Sequence, residues 1–237
     1  MTAMLEASGL TKHFAGVAAV ADLDVEIRRD EILAVIGPNG SGKTTLFNLL
    51  SGFLRPSAGR IAFEGRRVDG VAPHRLVRGG MARTFQQAMS FAGLTVRENV
   101  EVSIHAVGRR GFHEVDRILE ECGLAEVPDY EAGTLPYGLQ RNLGIAVALA
   151  TVPKLLLLDE PAAGLGDEAA RSLAALIRNI RDQGVTVAVV DHDMPFLMPL
   201  ADRVLVMEAG RKLFEGTSDE VMSHDRVIEV YLGHAVE

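Results

Sequence analysis

Cysteine is nearly absent from this chain: Cys122 stands alone, which excludes a disulfide framework and any zinc site built on cysteines. Positive charge is also short. Across 237 residues, 24 Lys and Arg face 32 Asp and Glu for a net charge of −8, which argues against a nucleic-acid partner because phosphate backbones demand positive surface. No window approaches the roughly 18 consecutive apolar residues of a membrane span. Met1 to Phe14 has no basic stretch followed by an apolar one, so no secretory signal is expected and a cytoplasmic protein is the default. Repeats, low-complexity tracts and evident linkers are missing as well. What remains is a composition of 48% hydrophobic and 24% charged residues, that of a globular chain of one or two domains.

Hydrophobic spacing predicts alternating strands and helices. Asp22 to Arg28 alternates, with Leu23, Val25 and Ile27 on one face, as in a half-buried strand. Ile32 to Ile36 is a continuous apolar run of strand length before a glycine-rich loop, and Thr44 to Ser51 then reads as a helix closed by Gly52. Arg60 to Glu64 is a strand turned at Gly65, and Ala82 to Phe85 a strand ending at Gln86. The middle of the chain is helical. Thr95 and Glu98 have capping-box spacing before a helix to about Ala106. Val115, Ile118, Leu119 and Cys122 follow helical spacing up to Gly123, and Tyr137 to Ala150 continues the pattern. Leu155 to Asp159 and Val185 to Val190 are buried-type strands, joined by a helix expected to bury Leu173, Leu176, Ile177 and Ile180. Val204 to Met207 and Arg211 to Glu215 form a hairpin around Ala209-Gly210. The expected architecture is one α/β nucleotide-binding unit over residues 1–237, with a helical subdomain inserted at roughly 88–152.

Gly37-Pro38-Asn39-Gly40-Ser41-Gly42-Lys43-Thr44 satisfies G-x-x-x-x-G-K-[ST], between an apolar strand and a helix. Such glycines let the backbone curl until successive N–H groups face one centre, and the following helix adds its positive end. Lys43 reaches β- and γ-phosphates, the Thr44 hydroxyl suits Mg²⁺, and Thr45 completes the phosphate-binding set. Over a hundred residues later, Leu155 to Leu158 delivers Asp159-Glu160 to a strand end, where open parallel sheets hold ligands. Asp159 would hold Mg²⁺ through its water shell, and Glu160 would polarise the water attacking the γ-phosphate. Taken alone, this acidic pair reads equally as a turn cap. His192, after the next strand, points toward the γ-phosphate or is an ordinary surface residue. Gln86 is a candidate sensor of Mg²⁺ and attacking water.

In order, these motifs resemble an ABC-superfamily ATPase subunit, and nearly the whole chain takes part. Ala82-Arg83-Thr84-Phe85-Gln86, Leu94-Thr95-Val96-Arg97-Glu98-Asn99, Asp159-Glu160-Pro161-Ala162-Ala163-Gly164-Leu165, Asp191-His192-Asp193-Met194 and Tyr231-Leu232-Gly233 are similar to the ATP-binding subunits of branched-chain amino acid importers. The resemblance implies a P-loop core with an antiparallel β subdomain and an inserted helical one. It implies ATP and Mg²⁺ as ligands, hydrolysis to ADP and phosphate, and two ATPases facing head to tail. It further implies permease subunits in the membrane that meet Gln86 and the helices after it, an external solute-binding protein indirectly, and a peripheral place on the cytoplasmic face of the membrane. Phe14, before Ala15-Gly16, matches the position that stacks on adenine; its other reading is a strand-end core residue. Tyr137 and Gly138, within Leu135-Pro136-Tyr137-Gly138-Leu139-Gln140, match the segment lent to the partner's nucleotide.

That lent segment departs from the family pattern. Pro136 stands where a serine or alanine is usual, Leu139 where glutamine is usual, and Gly166 where an aspartate or asparagine is usual. Proline is tolerated in a helix's first turn but supplies neither hydroxyl nor N–H. The residues serving this chain's own nucleotide are intact. An asymmetric heterodimer is therefore expected over a homodimer, which would carry the defect twice. The segment Ile104 to Phe112 is shorter than usual for this branch, and Arg109-Arg110 within it reads as a solvated turn or a contact patch. A nucleotide-gated module that barely hydrolyses ATP is the alternative. A DNA-maintenance ATPase of the same superfamily is disfavoured, since the chain has neither heptads nor basic clusters.

Overall fold

The computed structural model describes residues 3–85, 90–108 and 113–232. Its elements in chain order are β1 (Ala3–Phe14), β2 (Val17–Arg28), β3 (Ile32–Ile36), α1 (Lys43–Leu50), β4 (Ala58–Phe63), β5 (Arg66–Arg67), α2 (Pro73–Arg78) and β6 (Met81–Arg83). Helices α3 (Val96–Ala106), α4 (His113–Glu121) and α5 (Tyr137–Leu149) follow, and then β7 (Leu155–Asp159), α6 (Asp167–Asp182) and β8 (Thr186–Val190). The chain continues through α7 (Met194–Leu197), β9 (Arg203–Glu208), β10 (Arg211–Gly216), α8 (Ser218–Ser223) and α9 (Asp225–Leu232).

Two sheets form. One has the order β10-β9-β3-β8-β7-β6, parallel except for β10, and the other is antiparallel in the order β2-β1-β4-β5. The apolar runs that carry no alternation are explained by burial on both faces. Ile32, Ala34 and Ile36 join Leu156 and Leu158 in a core shared with α3 to α6, while Leu33, Val35, Leu155 and Leu157 pack with α1 and the antiparallel sheet. Each of these side chains is essentially removed from water, which contributes roughly 1.5–3 kcal/mol for a leucine or isoleucine.

Several expectations shift. The strand expected over Ala82 to Phe85 runs instead from Met81 to Arg83, although the Thr84 N–H still donates to the Leu157 carbonyl at 2.9 Å. Leu176 is half-buried, because α6 turns its apolar stripe about Leu173, Ile177 and Ile180. Helix α5 begins at Tyr137 as its spacing predicts, with Pro136 as the N-cap just outside it. Strand β1 emerges only in the structure: register shifts and a left-handed Gly9 break its alternation. The hairpin at Ala209-Gly210 is present, with both turn residues at positive φ, as a two-residue type I′ turn needs.

Between β6 and β7, which pair directly, the chain makes its helical excursion. Thr95 caps α3 by accepting from the Glu98 N–H at 3.1 Å while Glu98 accepts from the Thr95 N–H at 2.7 Å. Asn99, buried one turn later, ties the incoming segment to this helix. It accepts from the Phe91 N–H at 2.8 Å and donates to the Phe91 and Thr95 carbonyls at 3.1 and 2.8 Å. An Asn99→Leu change keeps the volume and removes these bonds. A loss of about 1–3 kcal/mol is expected from the backbone groups it leaves unpaired, read as a lower urea midpoint with an unchanged slope.

Candidate active site at the carboxyl ends of the parallel strands

Parallel register decides which residues meet. Val35 lies opposite Val190, Asp159 opposite Val190, and Arg83 opposite Leu157, so the segments leaving β3, β8, β7 and β6 emerge on one edge of the sheet. From β3 the chain enters the loop Gly37–Gly42 and then α1. Gly37 has φ +154° and a side chain there would lie 2.3 Å from the Met207 carbonyl oxygen; Gly42 has φ +102° and would meet the Ala19 carbonyl at the same distance. Both positions therefore demand glycine. The Ser41 N–H donates to the Pro38 carbonyl at 3.1 Å, and the Gly210 N–H braces the loop from outside by donating to the Ser41 carbonyl at 2.9 Å.

Lys43 arches back over this loop. Its Nζ donates to the Gly37 and Pro38 carbonyls at 2.7 and 3.0 Å. Burial pushes the ammonium below the usual lysine range, and the negative charge of Glu160 opposes that shift. The Ser41 hydroxyl is buried with no hydrogen-bond partner. A pulled-in ammonium beside an orphaned hydroxyl is a cradle suited to an anionic acceptor.

Asp159 ends β7 with its side chain almost buried, and its Oδ2 accepts from Arg83 Nη2 at 2.7 Å. Glu160 then turns left-handed, at φ +47°, while its N–H donates to the Val190 carbonyl at 2.7 Å. A non-glycine residue held there costs of order 1–3 kcal/mol, offset by the packed strand end around it. The fully buried Asp191 fastens the following loop. Its Oδ2 accepts from the Ala162 N–H at 2.8 Å, and its Oδ1 from the His192 and Asp193 N–H groups at 2.8 and 3.2 Å. His192 is exposed, with Nδ1 3.6 Å from Asp191 Oδ1, and Asp193 caps α7 through the Phe196 N–H.

The structure thus gathers Gly37, Pro38, Asn39, Gly40, Ser41, Gly42, Lys43, Thr44 and Thr45 with Asp159, Glu160 and His192 along one sheet edge. Gln86 lies outside the described residues, as do Arg109-Arg110 and Gly233. Phe14 is 44% exposed at the end of β1, so it is not a core residue, and the Lys12 ammonium sits 5.2 Å from its ring centroid. Tyr137 and Gly138 open α5 on the helical side, where no side chain caps the helix and Gly138 faces a recess shared with Leu139, Leu165 and Gly166.

Three supporting residues escape the sequence reading. Arg83 sits in a quoted motif but carries no signal of its pairing. Arg141 of α5 donates to the Pro161 and Ala163 carbonyls and to the Tyr137 hydroxyl, so it clamps the loop after Glu160 to the helix that begins at Tyr137. Tyr231 reaches back from α9; burial pushes its phenol up to about 12, against a hydrogen bond with the Gly37 backbone. Only contact between distant segments reveals these roles.

Lys43 sets a pH dependence. Its folded pKa lies below its unfolded value, so the penalty is complete below the folded pKa and is relieved as pH rises toward the model-peptide value of 10.5. Lys43→Met is expected to melt no lower than the native chain at pH 7. The difference between their melting temperatures should shrink in alkaline buffer.

A family model described as "ABC transporter" matches residues 20–163, and one described as "Branched-chain amino acid ATP-binding cassette transporter" matches residues 211–237. The chain is 38% identical to the high-affinity branched-chain amino acid transport ATP-binding protein BraF of Pseudomonas aeruginosa, with 98% of each covered. It is 34% identical to the probable branched-chain amino acid transport ATP-binding protein LivG of Archaeoglobus fulgidus, covering 97% of this chain and 95% of that one. Among solved structures, the ADP conformation of the ATP-binding cassette MJ1267 superposes with a TM-score of 0.90 at 28% identity, over 98% of this chain and all 100% of that one. A nucleotide-free cassette from an ABC transporter gives 0.89 at 27% identity, over 97% and 99%. On these matches, the chain belongs to the ABC transporter family of ATP-binding cassettes.

Proposed function

We propose that this chain binds ATP on Gly37–Thr45 and hydrolyses it to drive import of branched-chain amino acids through separate transmembrane permeases. One observation carries the reading: an ammonium drawn onto loop carbonyls at one strand end, with its opposing charge, Glu160, supplied by another strand end. The loop N–H groups and the end of α1 bind the phosphates, and Lys43 transfers its hydrogen bonds from carbonyls to phosphate oxygens. Phe14, exposed beside Lys12, offers a face for adenine.

The donor set fits Mg²⁺, a cation that keeps several waters and takes few protein ligands: the Thr44 hydroxyl and the Asp159 carboxylate, with Gln86 as a third candidate. Among the described residues no cluster of three or more His, Cys, Asp or Glu could cage a metal. When bound, the ion neutralises charge on the transferring phosphoryl group. Glu160 orients a water for in-line attack on the γ-phosphorus; the bond to the ADP oxygen breaks, and ADP and phosphate leave. Lys43 stabilises the charge on the phosphoryl oxygens, and His192 contacts the terminal phosphate. The left-handed turn at Glu160, held by the Val190 carbonyl, sets where its side chain leaves the backbone.

The permeases face the helices after Gln86, where a cleft of about 330 Å³ opens between α2, α3 and α5, lined by Val77, Ala106, Val107 and Val147. No helix among the described residues is long and apolar enough to cross a membrane, which suits a peripheral subunit on the cytoplasmic face.

A second ATPase subunit, different from this one, completes the assembly. The α5 start lent to that partner's nucleotide has Pro136 as N-cap with neither hydroxyl nor N–H, and Gly166 caps α6 with no side chain. A hydrogen bond lost to a charged acceptor is worth about 1.5–3 kcal/mol, or roughly 10- to 100-fold in affinity. The site on this chain's own loop is the competent one.

Single-turnover ATPase of the assembled complex tests both levels. Glu160→Gln should abolish most turnover while nucleotide still binds, whereas the same change at the partner's catalytic glutamate should cost far less. Equal losses would refute the asymmetry, and no loss from Glu160→Gln would favour a nucleotide gate over a hydrolase. Pro136→Ser should raise turnover at the partner's loop and leave this chain's own site unchanged.

A further inference from the structure

Arg83 is a tightly held cation near the strand ends. Its Nη2 donates to Asp159 Oδ2 at 2.7 Å, and its Nη1 donates to Asn48 Oδ1 and Ser51 Oγ, both at 2.8 Å. The rings of Phe85, Phe53 and Phe47 surround the guanidinium at 5.0, 5.7 and 5.9 Å, and only 5% of the side chain is exposed. Asn48 and Ser51 belong to α1 and its C-cap, the helix that Lys43 and Thr44 begin. The planar fork therefore joins two pieces of one site: the helix carrying Thr44 and the strand end carrying Asp159.

A buried ion pair is weak evidence for stability, because desolvation offsets most of its attraction. Orientation is what this geometry supplies. With Oδ2 committed to Arg83, Asp159 has one oxygen left to accept from a metal's water shell, and the guanidinium that holds it is itself anchored by two hydrogen bonds on its far side. Outer-shell partners of this kind typically change metal affinity by roughly 10- to 100-fold when removed.

We propose that Arg83 is a positioning residue for the divalent cation, aiming the Asp159 carboxylate from an anchor on α1 at Asn48 and Ser51. This rests on the reading of Asp159 as the metal carboxylate given above. Lysine cannot replace the arginine, since one ammonium cannot span Asn48 and Asp159 in a planar fork.

The test measures metal and nucleotide separately on the full chain. Electron paramagnetic resonance reports bound Mn²⁺ in the presence of ADP, and trinitrophenyl-ATP fluorescence in EDTA reports metal-free nucleotide binding. Arg83→Lys and Arg83→Gln are expected to weaken Mn²⁺ binding by about 10- to 100-fold and to leave binding in EDTA unchanged. Asn48→Leu keeps the ion pair but removes one of its two anchors, so a smaller loss in the same direction is expected, and it serves if the Arg83 variants fail to fold by circular dichroism. Unchanged or tighter Mn²⁺ binding in a folded variant overturns the proposal. A parallel fall in EDTA also overturns it, by making the role merely structural. If the native chain binds no trinitrophenyl-ATP, the site reading itself fails and the role of Arg83 falls with it.

Discussion

The shape of the loop between Gly37 and Lys43 is imposed from outside the loop. Met207 in β9 and Ala19 in β2 each press a carbonyl oxygen against a glycine, leaving no space for a β-carbon. The Gly210 N–H then fixes the Ser41 carbonyl from the turn between β9 and β10. Everything else at the sheet edge is arranged around that curl. Lys43 can be drawn in only because the curled carbonyls of Gly37 and Pro38 receive it, and the Ser41 hydroxyl is buried in the same curl without a hydrogen-bond partner.

Two charge systems share this edge without merging. Lys43 answers to Glu160, whereas Asp159 answers to Arg83. The adjacent carboxylates of Asp159 and Glu160 look interchangeable in sequence. The left-handed backbone at Glu160 separates them: Asp159 still ends β7, beside β6, whereas Glu160 already belongs to the turn that leaves it. Adjacent acids acquire different duties through one backbone angle.

Elements whose signal is local were legible in the sequence. Strand β3 was readable from its apolar run, α3 from its capping box, and the β9–β10 turn from Ala209-Gly210. The phosphate loop was legible because its chemistry requires glycines at fixed spacing. What stayed hidden depends on contacts between distant segments. Strand β1 is bulged and lacks a clean period. Arg83, Arg141 and Asp191 act through partners on other elements, and no spacing within the chain announces a guanidinium that grips a backbone loop 20 residues away. The reading of β6 failed at its end for a related reason, since the apolar Phe85 that seemed to extend the strand packs instead edge-on against Phe53.

The central strand has one further consequence, for how the chain comes into being. β3 pairs only with β8 and β9, which lie more than a hundred residues downstream. On the ribosome its ladder therefore stays unmatched until β8 and β9 have emerged. Such non-local pairing makes folding slow and leaves apolar edge surface open to aggregation while synthesis continues. The brace from Gly210 arrives later still, so a nascent chain has no finished phosphate loop until synthesis has passed residue 210.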